Sequence, residues 1–214
     1  MQYGEDEVRE HLNPYHDRIL RVIEQGYGEW ASIKRSMASS GTGPVLYPRT
    51  TANYVFDAIA RHAITEFSAD PEVRVYPNAQ TVKFCFKDVV LARFKKGDED
   101  NLGRNHPTQA VLDFVSIQSE LPGMPPSATK VEVLYTANEI EDRIERVVVA
   151  ARDGDELLWH YEIVPSAAST SSGTGITLLP MSTEPLEDAA EASEELVVLR
   201  KRQRDDDTSD SNGN

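Results

Sequence analysis

Asp88, Lys95 and Lys96 bracket an apolar run in FKDVVLARFKKGDED, residues 86–100, and an acid followed by lysines along a strand is how a metal-dependent nuclease sets a metal ion beside a phosphate. That chemistry needs a second acid close to the lysine on the same strand face, so that both reach one phosphate. The residues two before Lys95 and Lys96 are Arg93 and Phe94, and neither holds a metal. Alternation puts Val90, Ala92 and Phe94 on the face of Asp88, which reads as a core face. The segment is therefore expected to be a sheet strand running into a charged turn. A cryptic metal-dependent enzyme, such as a nuclease, is the minor alternative.

Other catalytic signatures are missing from the chain. His11, His16, His62, His106 and His160 form no HExxH pattern and no pairing with cysteine, so no zinc site is read. There is no phosphate loop, no GxGxxG and no GxSxG elbow, and no cofactor is expected. Cys85, the single cysteine, stands between Phe84 and Phe86, which suits a small buried side chain better than a reactive thiol.

Two groups could instead bind. Arg93, Lys95 and Lys96 are followed across a turn by Arg104, with His106, Thr108 and Gln109 opening a helix. Arg93 and Lys95 share a strand face, and with the free N–H groups of a helix start they would hold a partner's carboxylate or phosphate. The competing reading is a solvated face balanced by Asp98, Glu99 and Asp100. The second group lies near the C-terminus: Leu196, Val197, Val198 and Leu199, followed by Arg200, Lys201 and Arg202. Such a run would add a strand to a partner's sheet edge or fill a groove, with the charges setting register.

The elements that must position these residues follow from periodicity. Apolar residues at three- and four-residue spacing predict a helix from Asn13 to about Ser39, weakened in its middle by Gly26 and Gly28, where a kink or break is expected. A second helix is predicted over about Thr51–Phe67. VRVYP, QTVKFCF and DVVLARFKK read as a three-strand meander, Thr108 caps a third helix, and KVEVLYTA, RIERVVVAA and ELLWHYEIV read as three more strands. Asp153-Gly154 marks a hairpin between the last two. The expectation is an α+β domain over residues 1–164: helices in about 5–70, then an antiparallel sheet of about six strands in 71–164, one helix being inserted between two three-strand meanders. Residues 165–214 hold 10 acids against 4 bases and almost no aromatic residues, as in a disordered acidic tail.

With 214 residues, 27% charged, and a formal net charge of −14, the chain repels polyanions over most of its surface, so binding nucleic acid would need a local basic patch. No basic-then-apolar leader and no run of roughly 18 apolar residues is seen, so a cytoplasmic chain without membrane contact is expected.

VLARFKK, HPTQAVLDF and LPGMPP, followed by the VEVLY and WHYEI strands, resemble a family of uncharacterised bacterial and phage proteins associated with operons for an ImmA/IrrE-type metallopeptidase, in toxin–antitoxin or phage-defence modules. The resemblance spans roughly residues 73–163 and carries over no catalytic residue. It implies an antitoxin-like regulatory partner of such a metallopeptidase rather than the enzyme. The expected function is thus a non-enzymatic interaction protein. A nucleic-acid-associated factor or DNA mimic is the first alternative, a cryptic enzyme the second.

Overall fold

Acidic residues at Glu5, Asp6 and Glu7, apolar ones at Val8 and Leu12, and a carboxylate that can reach back to the preceding turn start a helix earlier than the expected start at Asn13. In the computed structural model, which describes residues 3–166 apart from residues 46, 79–80, 104–107 and 120, helix α1 spans Glu5–Leu12, and Glu7 accepts the Gly4 N–H at 3.0 Å. Asn13–Tyr15 is a single 3₁₀ turn rather than a cap, since Pro14 has no N–H to continue the α-helical ladder. Helix α2, His16–Ser39, then buries Ile19, Leu20, Val22, Ile23, Tyr27 and Trp30.

Contrary to the expected kink, α2 runs unbroken through Gly26 and Gly28. Helix α3, Pro48–Phe67, explains the first of these. A Cβ on Gly26 would lie 2.6 Å from the backbone nitrogen of Ile59, so the glycine lets the two helices approach closely. α3 begins at Pro48, three residues before the expected Thr51, because proline fits the first helical position. Ion pairs tie the helices antiparallel: Arg18 binds Glu66 and Asp70 at one end, and Glu29 meets Arg61 and His62 nearer the other.

Six strands follow, β1 Val73–Asn78, β2 Thr81–Phe86, β3 Val90–Lys96, β4 Thr129–Ala137, β5 Ile144–Asp153 and β6 Glu156–Glu162, joined in that order in one sheet. Lys87 and Asp88 take left-handed conformations, φ 51° and 58°, in the turn between β2 and β3, where Val89 N–H donates to Phe86 O at 2.9 Å. Gly154, at φ 59°, turns β5 into β6 as expected. The α+β architecture read from the sequence is present, with a helix, α4 (Gln109–Val115), between two meanders. Each meander is antiparallel, but the seam between them is not. β3 and β4 pair in parallel, Arg93 opposite Glu132, because the chain crosses the sheet through residues 97–128 before β4 begins.

Alternation divides the sheet between two environments. Phe84, Phe86, Val90, Ala92, Phe94, Val131, Val133, Tyr135, Val147 and Val149 point toward α1–α3 and join one apolar core with Val8, Leu12, Ile19, Ile23, Ile59 and Phe67. The other face is covered in part by α4 and its flanking loops, where Cys85 and Leu91 pack with Phe114 and Val115. Burial pushes the Cys85 thiol up to about 11, which agrees with the inert buried cysteine expected. No helix among the described residues is long and apolar enough to cross a membrane.

Candidate functional site

The sheet forks. β2 and β3 pair only from Phe86↔Val90 to Phe84↔Ala92; beyond that β2 continues back to Thr81 beside β1, while β3 continues to Lys96 beside β4. Between the diverging strands a cleft of about 720 Å³ opens, with α3 on one side and the start of α4 on the other. Its walls carry Lys83 from β2 and Arg93 and Lys95 from β3. Thr81 Oγ1, at the mouth, is buried with no hydrogen-bond partner among the described residues.

Arg93 is 3% exposed and stands on the parallel seam directly opposite Glu132, itself 2% exposed. Its Nε and Nη2 both donate to Glu132 Oε1, at 2.9 and 2.6 Å, and its guanidinium lies 4.1 Å above the centre of the Phe114 ring. From β5, Arg152 closes on the same carboxylate. Its Nη2 donates to Oε1 at 3.4 Å, and its Nε sits 2.9 Å from Oε2 in an orientation suited to an ion pair but not to a hydrogen bond. Gly103 seals the carboxylate from above; a Cβ there would be 2.8 Å from Oε2. Two guanidiniums thus share one buried carboxylate. Desolvation lowers the Arg93 pKa, and the nearby Arg152 charge lowers it further, while Glu132 opposes both.

The lysines are the unusual part. Lys83 is 7% exposed, lines the cleft, and has neither hydrogen-bond nor ion-pair partner among the described residues. Burial depresses its pKa, and the charge of Arg93 adds to that. Lys95 is depressed for the same two reasons, with Glu132 pulling the other way, and its Nζ lies 5.9 Å from the Phe56 ring on α3. Lysines so largely removed from solvent without an acidic partner are uncommon, since partial desolvation penalises the charged form. By contrast Lys130, on the same face of β4, donates to the carbonyls of Asp113, Ser116 and Ser119 and so fixes the end of α4.

Of the predicted binding residues, the fold brings Arg93 and Lys95 together on one face, and Thr108 does cap α4, accepting from Val111 N–H. Lys96 is not part of the group. It points to the opposite side, pairs with Glu141 at 3.0 Å, and is exposed. Arg104 and His106 lie outside the described residues, as do Leu196–Leu199 and Arg200–Arg202. The solvated-face alternative fails for Arg93, whose counter-ion is the buried Glu132 rather than Asp98, Glu99 or Asp100. Asp88 of the nuclease reading pairs with Arg74 at the surface, and among the described residues no group of three or more acids, histidines or cysteines could hold a metal ion.

Lys83, Glu132 and Arg152 escaped the sequence reading. Each left a signal: a charge within a largely apolar strand, as in TVKFCF and KVEVLY, or at the end of one, as in VVVAARD. No protein-family model, no curated protein and no solved structure matches this chain, so the resemblance seen in VLARFKK, HPTQAVLDF and LPGMPP rests on those motifs alone.

Proposed function

We propose that this chain is a non-enzymatic binding protein of regulatory type, antitoxin-like in the sense that it controls another protein, and that its working site is the anion-receiving cleft at the sheet's fork. The observation that carries the reading is Lys83, a largely buried lysine that lines the cleft and has no acidic partner among the described residues. A protein keeps such a cost where function requires it. Among the described residues Arg9, Arg18, Arg61, Arg74 and Lys96, outside the cleft, are each paired with an acid. That favours one compact anionic group over the backbone of a nucleic acid, whose binding draws on many spaced phosphate contacts.

Calorimetric melting in rising phosphate or sulfate, against chloride at equal ionic strength, tests the cleft. Saturable stabilisation of the wild type that is absent in Lys83→Met supports it. An identical response of both proteins refutes it. The regulatory part predicts that a Lys83→Met/Lys95→Met protein, folded as judged by its melting curve, loses control of its cognate partner, for which the resemblance suggests a metallopeptidase of the ImmA/IrrE type.

A further inference from the structure

We infer that the ligand of the forked-sheet cleft is a nucleoside monophosphate, its phosphate held by Lys83, Arg93 and Lys95 and its base laid against Phe56 between Asn53 and Asp57. The inference rests on the anion-binding reading above and names the ligand.

Charge selects the phosphate. In and behind the fork, four cations, Lys83, Lys95, Arg93 and Arg152, meet two carboxylates, the buried Glu132 and Asp57 on the cleft wall, a formal excess of two positive charges. A carboxylate ligand would offset one of them, whereas a phosphate monoester offsets about two at neutral pH. Glu132 engages the Nε and Nη2 of Arg93, which leaves Nη1 for an oxygen, and the Lys83 ammonium has no competing acceptor among the described residues. Several donors on one small site suit the three terminal oxygens of a phosphoryl group.

The wall selects the rest of the molecule. On α3, Asn53, Phe56 and Asp57 follow at three- and four-residue spacing and so share the helix face that borders the cleft. Phe56 is half-buried and lines the cleft, and Lys95 Nζ stands over its ring, 5.9 Å from the centre, which sets an aromatic side chain next to the phosphate-binding cations. Asn53 and Asp57 are exposed beside it and supply an amide and a carboxylate, the groups that read donors and acceptors along a base edge. A volume of about 720 Å³ lies within the range typical of small-molecule sites and leaves room for a base, a sugar and a phosphate. A long acidic peptide would use the cations but not a planar wall set beside them.

Isothermal titration of the full chain with AMP, GMP, UMP, ribose 5-phosphate, inorganic phosphate and a phosphotyrosine peptide decides the matter. The expected result is that at least one nucleotide binds about ten-fold or more tightly than ribose 5-phosphate, since base stacking contributes at that level. Lys83→Met should abolish binding of every phosphate. Phe56→Leu, which keeps apolar volume but removes the plane, should reduce nucleotide affinity toward that of ribose 5-phosphate and leave ribose 5-phosphate itself unchanged. Equal binding of nucleotides, ribose 5-phosphate and inorganic phosphate would overturn the inference and leave the anion cleft standing. Tightest binding of the peptide would overturn it in favour of a protein ligand, and failure of all six would remove the anion cleft as well.

Discussion

The two faces of this sheet are written by alternate residues of the same strands, yet only one of them buries charges among its apolar residues. Toward the helices, Phe84, Phe94, Val133 and Val149 are buried among apolar neighbours. Toward α4 the same four strands contribute Lys83, Arg93, Glu132 and Arg152. One face stabilises the fold by removing apolar surface from water, and that surplus tolerates charges that desolvation makes costly on the other. The contrast teaches where to look for function: on the face where charged side chains are buried among apolar ones.

The largest effect should come from the helix side. Phe67 is wholly buried and meets Tyr15, Phe84 and Phe86 edge-on, with ring centres 5.4 to 6.4 Å apart, so Phe67→Ala should cost about 3–5 kcal/mol in urea denaturation. A loss below about 1 kcal/mol would break the comparison at its base. On the other face, Glu132→Ala should cost about 3 kcal/mol, because it strands two guanidiniums out of water. Replacing Arg93, Glu132 and Arg152 together by Met, Leu and Met should recover most of that loss, which a purely stabilising ion pair would not permit.

Lys83→Met reverses the sign. Removing the unpartnered ammonium should stabilise the protein by about 0.5–2 kcal/mol while removing anion binding. Because burial lowers the folded-state pKa of Lys83, both folded and unfolded chains carry its charge at low pH, and there the penalty is complete. As pH rises from that lowered value toward the ordinary 10.5, the folded state sheds its proton first and the penalty fades. The advantage of Lys83→Met over wild type should therefore shrink with rising pH across this window, as followed by chemical denaturation of both proteins. An advantage that grows with pH would contradict the burial argument. The smallest effect belongs to the surface: Lys96→Ala, which removes an ion pair exposed by about half on both sides, should change stability by no more than about 0.5 kcal/mol.

The sequence exposed the helix side almost completely, because a core face is periodic and periodicity survives without knowledge of partners. Val90, Ala92 and Phe94 could be assigned inward from alternation alone. α1 was legible only in part, since its short apolar stripe of Val8 and Leu12 ends at Pro14 and gives little periodicity to count. Half of the cleft could be read as well, Arg93 and Lys95 being neighbours on one strand. Glu132 and Arg152 could not, because their meeting with Arg93 depends on the parallel seam, and nothing local in KVEVLY says which strand will lie alongside. The fork is of the same kind: it is a property of where two strands stop pairing, and neither strand records it alone.

The parallel seam also bears on how the chain reaches this state. Each meander can assemble through short turns, but β3 must wait as an open edge until residues 97–128 have crossed the sheet, and closing a longer loop delays pairing. During that interval Arg93 and Lys95 guard the edge, since charged residues deter pairing with a stray strand. Glu132 then acts as a key. A slip of one residue would set it opposite an apolar neighbour of Arg93 instead, so the ion pair selects the register as well as closing the seam. We predict that Glu132→Gln slows refolding in stopped-flow measurements, and a change confined to the unfolding rate would mean that the key turns only after the seam has closed.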